Sequence, residues 1–196
     1  MVDSRLAHGK LVRPNSKVAL TPQQTLIAVL LFLMIVLNYP DRQILSVLAP
    51  VMRRQIGLTQ ADYAFAVNAF LLAYAIMYAG SGLILDRVGC RKGLAIFVAL
   101  WSVASGLHAS IRGFAGLAIF RFLLGLAEPG GWTGAAKTVS ERFTSAQRGL
   151  ASGIFTTGAG IGAVIAPPLI VFLSLKYGWR SLFVLCKPLD PGLEGV

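Results

Sequence analysis

Long apolar stretches separated by short polar or glycine-bearing segments organise this chain from residue 25 to residue 175. A helix needs about 20 mostly apolar residues to cross a bilayer. Five windows meet that length: 25–51, 63–85, 93–110, 114–137 and 149–175. A sixth opens at Trp179 and stops by residue 186, a stub of about eight residues that is too short to span. The short gaps between windows predict an all-α integral membrane protein with antiparallel helices, five of them spanning and a truncated sixth.

Each boundary has its own chemistry. Thr59-Gln60-Ala61-Asp62 has the form of a capping box, with Asp62 able to reach back to the Thr59 amide. Asp86-Arg87-Val88-Gly89-Cys90-Arg91-Lys92-Gly93 is a tight charged turn, and Ser140 to Arg148 is the next polar break. In the fifth window Gly149 and Gly153 are four apart, as are Gly158 and Gly162, so both pairs predict close helix approach. Residues 187–196 hold two prolines, two glycines and three charges and cannot continue a helix. That ending is expected to mark a truncation or a frameshift.

Composition supports the same solvent. Hydrophobic residues make up 56% of the chain, charged residues 13%, and mean hydropathy is +0.70. A soluble domain carries about 25% charged residues. The net charge of +10 does not form a basic stripe interleaved with aromatics, so nucleic acid is not an expected partner; the lipid bilayer is. Arg5, Lys10, Arg13 and Lys17 lie in a polar tail, 1–21, with no cleavage-site pattern after it. Counting Lys and Arg in the gaps, with that tail inside, puts nine on the inner side and five on the outer. The bias predicts a cytoplasmic N-terminus. Cys90 and Cys186 are lone thiols, with no metal-ligand spacing and no disulfide framework. No Ser-His pair or phosphate-cradling loop suggests an enzyme.

Few charges remain inside the apolar windows: Asp41, Arg42, Arg121 and Glu128, with Lys137 able to snorkel at an inner helix end. Four unpaired charges would cost about 10–14 kcal/mol on insertion scales, so they must be paired, neutralised or hydrated. Arg121 and Glu128 are seven apart, Asn38 and Arg42 four, and Tyr74 and Tyr78 four. Each pair therefore shares one helix face, and three such faces can line one cavity. Pro40 and Pro129 stand next to the acids and free backbone carbonyls there. A carboxyl in a poorly hydrated cavity holds a proton toward neutral pH, and an arginine grips a carboxylate bidentately. That chemistry fits an anionic solute moving with a proton; interhelical salt bridges are the plainer alternative. His108 lies near an outer helix end and is left out of the site.

Gly82-Leu83-Ile84-Leu85-Asp86-Arg87-Val88-Gly89-Cys90-Arg91-Lys92 resembles the signature turn of the major facilitator superfamily. Asn38-Tyr39-Pro40-Asp41-Arg42, Tyr74 to Met77, Arg121 to Glu128 and Gly149 to Pro168 are similar to its anion:cation symporter branch, nearest to hexuronate transporters. The resemblance covers about residues 22–185 and the first half of a twelve-helix fold. It implies Glu128 and Asp41 as the proton-coupling acids. Asn38, Tyr39, Arg42, Tyr74, Tyr78 and Arg121 would be the solute-binding set, with Gly82, Asp86, Arg87, Gly89 and Arg91 at a cytoplasmic gate. It also implies a small organic anion such as a sugar acid, a proton gradient in place of any cofactor, the plasma (inner) membrane, and a six-helix second half. Tyr78 and Gly131 depart from the pattern, where many relatives have Gln and Asn. Without a second half, the alternative expectation is a non-transporting remnant.

Overall fold

A computed structural model describes residues 19–185. The expected tail before residue 19 and the segment 187–196 lie outside the described residues, as does Cys186. Among the described residues seven α-helices follow one another: α1 (Pro22–Ile56), α2 (Gln60–Val88), α3 (Cys90–Leu107), α4 (Phe114–Ala127), α5 (Pro129–Arg142), α6 (Ser145–Tyr177) and α7 (Trp179–Leu185). A single 3₁₀ turn, His108–Ser110, closes α3. Among the described residues, five segments are long and apolar enough to cross a membrane, α4 and α5 together making one of them.

The starts of α1, α2 and α6 are closed by capping boxes. Asp62 Oδ2 accepts from the Thr59 amide at 2.9 Å while Thr59 Oγ1 accepts from the Asp62 amide at 3.1 Å. Thr21 and Gln24 repeat that exchange at the start of α1. Gln24 Nε2 then reaches across to the Arg142 carbonyl at 3.0 Å, tying α1 to the turn before α6. These bonds satisfy amides that a helix start otherwise leaves unpaired. One residue, Gly89, separates α2 from α3, and its φ of 84° explains why a glycine stands there.

Packing joins α1 to α6 and α2 to α4, with α3 against α4 and α5. Where α1 meets α6 the approach is backbone to backbone. A Cβ on Gly162 would sit 2.7 Å from Tyr39 Cβ and 3.0 Å from the Val36 carbonyl oxygen, and one on Gly158 would sit 2.8 Å from the Phe32 carbonyl oxygen. Val36 is the residue whose carbonyl Pro40, lacking an N–H, cannot satisfy, so the bare Gly162 lies against the stretch of α1 that carries this freed carbonyl. The other expected pair behaves differently. Gly149 and Gly153 meet nothing within 4 Å among the described residues, so they do not cement this bundle.

The outer surface is apolar. Leu26, Leu37, Leu72, Leu83, Val164, Phe172 and Leu175 are all exposed, as a hydrocarbon solvent requires. Polar and charged groups turn inward instead: Asn38, Asp41, Ser81, Ser105, His108, Arg121 and Glu128 are buried.

Candidate functional site

The interior charges gather where the fourth span breaks. Pro129 has no N–H to offer the Gly125 carbonyl, so α4 ends at Ala127 and α5 begins at Pro129, with Glu128 at the joint. The joint packs tightly on its far side, where a Cβ on Gly130 would run into the Phe97 ring. Glu128 is thereby held with its side chain fully buried, against α1.

Across from it, Arg42 Nε donates to Glu128 Oε1 in an ion pair between α1 and the α4–α5 joint. The Arg42 guanidinium also lies 4.8 Å above the centre of the Tyr74 ring, and Tyr74 stacks on Tyr78 with ring centres 6.0 Å apart. Together these groups wall a cavity of about 230 Å³. Asn38, Tyr39 and Arg42 come from α1, Tyr74 and Tyr78 from α2, Trp101 from α3, Glu128 from the joint, and Gly131 and Trp132 from α5. One guanidinium, one acid and several rings is a suitable lining for a small anion: the cation orients a carboxylate and the rings contact its carbon skeleton.

The other two interior charges lie behind this wall. Asp41 is buried and is not part of the cavity lining, and both its oxygens accept from α3. Trp101 Nε1–H donates to Oδ2, and Ser105 Oγ donates to Oδ1 at 2.8 Å. Arg121, expected on the cavity wall, is 4% exposed and stands over the Phe70 ring at 5.7 Å, outside the cavity lining. Of the four interior charges, Arg42 and Glu128 thus line the cavity, while Asp41 and Arg121 are buried outside its lining. His108, left out of the site by its place near a helix end, is fully buried. It donates from Nδ1 to the Ala104 carbonyl at 2.8 Å and stacks on Phe183 with ring centres 5.2 Å apart.

The signature turn lies away from the cavity. Asp86 pairs with Lys137 of α5, and Lys137 also approaches Glu141 Oε1 at 3.9 Å. Gly82 sits within α2 facing open space, and Arg87 and Gly89 are exposed at the turn. Arg91 does not join the Asp86 pair. It borders an apolar groove with Arg142, Ile27, Leu30 and Leu94.

Sequence reasoning missed Trp101, Ser105, Trp132 and the Asp86–Lys137 pairing. Trp101 and Ser105 are four apart on one face of α3, which is the available signal, but both sit in an ordinary apolar window. Lys137 lies nine residues beyond Glu128, and only the fold shows which acid it meets.

Comparison with known proteins agrees with this architecture. The family model described as Major Facilitator Superfamily matches residues 31–189. The chain is 33% identical over 155 residues to the hexuronate transporter of Escherichia coli (strain K12), an alignment covering 79% of this chain and 36% of that protein. It is 31% identical to the galacturonate transporter of Dickeya chrysanthemi, over 79% of this chain and 45% of that one. To the probable galactarate/D-glucarate transporter of Bacillus subtilis (strain 168) it is 34% identical, over 81% and 36%. The chain thus spans less than half the length of these relatives. Among solved structures, a bacterial homolog of the human lysosomal transporter Spinster, inward-facing and unoccupied, superposes with a TM-score of 0.74 at 22% identity. That match covers 86% of this chain and 41% of that one, and it speaks to the fold alone. Matched along most of its length and built as the first half of the same helical bundle, this multi-pass membrane chain belongs to the Major Facilitator Superfamily.

Proposed function

We propose that this half-bundle carries the solute-gripping wall of a proton-coupled symporter for a hexuronate or a related sugar acid. It would work in the plasma membrane with its N-terminus in the cytoplasm. The observation that supports this reading is the Arg42–Glu128 ion pair in the cavity wall, with Arg42 stacked over Tyr74. The solute carboxylate and Glu128 compete for the same guanidinium. When the solute takes Arg42, Glu128 loses its counter-charge inside a buried setting, and protonation becomes the cheapest way to neutralise it. Solute and proton then load together, which is the requirement for symport. Asn38, Tyr39, Tyr74 and Tyr78 would meet hydroxyl groups and ring faces of the sugar acid.

Alternating access rocks two half-bundles around a midplane site. The second wall would come from a second half-bundle, in the part of the longer relatives that this chain does not cover. The exposed faces of α2, with Leu72 and Ile76, and of α6, with Gly153, Ile161 and Ile165, are available to receive it. Asp86, Lys137 and the signature turn would act as the gate on the cytoplasmic side.

The test has two arms. The 196-residue chain in lipid nanodiscs is titrated with galacturonate and glucuronate. The same chain, co-reconstituted with the second half of the Escherichia coli hexuronate transporter, is assayed for uptake under an imposed pH gradient. The reading expects saturable binding in the first arm and gradient-driven uptake in the second. Absence of uronate binding, or uptake indifferent to collapse of the gradient, would refute it.

A further inference from the structure

α5 opens with three glycines in its first six residues, Gly130, Gly131 and Gly134. Two are bare because a neighbour leaves no room: a Cβ on Gly130 would run into the Phe97 ring, and one on Gly134 would sit 2.5 Å from Leu94 Cδ2. Gly131 has no such neighbour. A Cβ there would meet Met34 Cε at 3.9 Å, an ordinary contact, and no closer side chain. Its backbone does not require glycine either, since the positive-φ glycines among the described residues are Gly57, Gly89 and Gly178. A side chain would thus be accepted at residue 131, and almost any would favour the helix more. What it would take up is space in the cavity, because Gly131 is part of the lining.

The lining is ordered in levels along the helix axes. Gln24 near the start of α1 reaches Arg142 at the end of α5, so these two helices run in opposite directions. Going from Arg42 back to Met34 on α1, or from Glu128 forward to Gly131 on α5, is therefore movement the same way, the second step being about 4.5 Å. α2 returns after a short turn at the end of α1, so Tyr78 follows Tyr74 in that direction too. A solute whose carboxylate takes Arg42 thus lays its next atoms among Met34, Tyr78, Gly131 and Trp132. Trp132 is braced edge-on against Phe155, with ring centres 5.5 Å apart at 81°, and Tyr78 is stacked on Tyr74. We propose that Gly131 is a specificity-determining residue: by withholding a side chain at this level, it leaves the width for a sugar acid in its closed ring form. With a side chain there, the passage would suit an open-chain acid only. The C–H faces of a sugar ring lie well against aromatic walls, and a ring loses less conformational freedom on binding than a flexible chain. This rests on the symport reading and names the shape of sugar acid that the site takes.

The test compares two acids on the 196-residue chain in nanodiscs. Galacturonate closes to a ring, whereas galactonate, with the same number of carbons and a single carboxylate, is an open chain. Binding is followed by tryptophan fluorescence, since Trp101 and Trp132 line the cavity. The unaltered chain should prefer galacturonate. The ratio of the two affinities should move toward galactonate by about tenfold in Gly131→Val, and by less in Gly131→Ala. Unfolding temperatures give the structural control: Gly131→Ala should unfold at or above the parent, and Gly130→Ala well below it. A ratio that stays put in Gly131→Val, or a Gly131→Ala chain as unstable as Gly130→Ala, overturns the proposal. If the unaltered chain binds neither acid, the symport reading fails and takes this inference with it. If it binds galacturonate and only the ratio fails to move, the reading stands and the role of Gly131 alone is refuted.

Discussion

Arg42 of α1 and Glu128 at the α4–α5 joint, 86 residues apart in sequence, form one ion pair in which only the arginine is reached from outside. The side chain of Arg42 is 35% exposed and that of Glu128 is 0% exposed. An anion entering the cavity therefore meets the cation first. On the symport reading proposed above, the acid behind it would respond by changing its protonation.

Glu128→Gln removes the acid while keeping its size. Galacturonate binding is expected to be no weaker than in the unaltered chain, because Arg42 loses its internal competitor. Gradient-driven uptake by the co-reconstituted protein should fall at least about tenfold, since the proton has no seat near the solute. Solute exchange in the absence of a gradient should survive. Calorimetric binding and paired uptake and exchange assays check this, and loss of binding together with uptake would contradict it.

Arg42→Lys keeps the charge but gives up the planar fork and the stacking over Tyr74. Lysine binds a carboxylate as a point charge, so galacturonate affinity should fall by about tenfold, which corresponds to about 1.4 kcal/mol. The effect should appear in the dissociation constant. Tyr74→Leu, which removes the ring under the cation, should push affinity in the same direction by a smaller factor.

The helix interfaces give a prediction about stability. Gly162→Ala places a methyl group 2.7 Å from Tyr39 Cβ and 3.0 Å from a backbone oxygen, neither of which can yield cheaply. Overpacking of this kind costs about 1–3 kcal/mol. Gly153→Ala adds a methyl group where nothing lies within 4 Å and replaces a poor helix former, so it should be neutral or stabilising by up to about 1 kcal/mol. Thermal unfolding in one detergent should order the two variants on opposite sides of the parent chain. Equal effects would mean that α1 and α6 do not approach as closely as described.

That contrast also shows what could be read before the structure was known. Hydropathy located the spans because crossing hydrocarbon is a length and composition requirement, and it is met locally. Pro129 and Pro40 each showed a freed carbonyl beside an acid, but α1 runs on through Pro40 while the fourth span divides at Pro129, so the signal alone did not say which span breaks. The i to i+4 glycine pattern could not say which pair had a partner, since Gly149-Gly153 and Gly158-Gly162 look alike and only Phe32, Val36 and Tyr39 across the interface separate them. Asp41 was legible as an interior charge, but its donors were not. Trp101 and Ser105 are common residues in a membrane helix, and they become informative only when α3 is seen against α1. His108 was judged by distance from a helix centre, whereas it is buried with the rings of Phe120 and Phe183 against it.

The Asp86–Lys137 pair joins α2 to α5 at the signature turn, and its members differ in setting: the Asp86 side chain is 65% exposed and that of Lys137 is 23%. Solvent screens a pair this open, so Asp86→Asn or Lys137→Gln should change thermal stability by less than about 1 kcal/mol. Their functional effect should be larger if the pair serves the gate rather than the fold. Each single variant should bind galacturonate with near-parent affinity in nanodiscs, since neither residue lines the cavity. In the co-reconstituted protein each should slow uptake several-fold. The exchanged variant, Asp86→Lys with Lys137→Asp, should recover part of the rate if attraction between the two helices is what matters, because the bond is restored with its ends reversed. If the signature turn instead needs the acid at residue 86 itself, to meet a positive group on the second half-bundle, the exchanged variant should be slower than either single one. Uptake rates for the four proteins at one solute concentration, read alongside their unfolding temperatures, separate a gate that acts within this half from one that acts between halves.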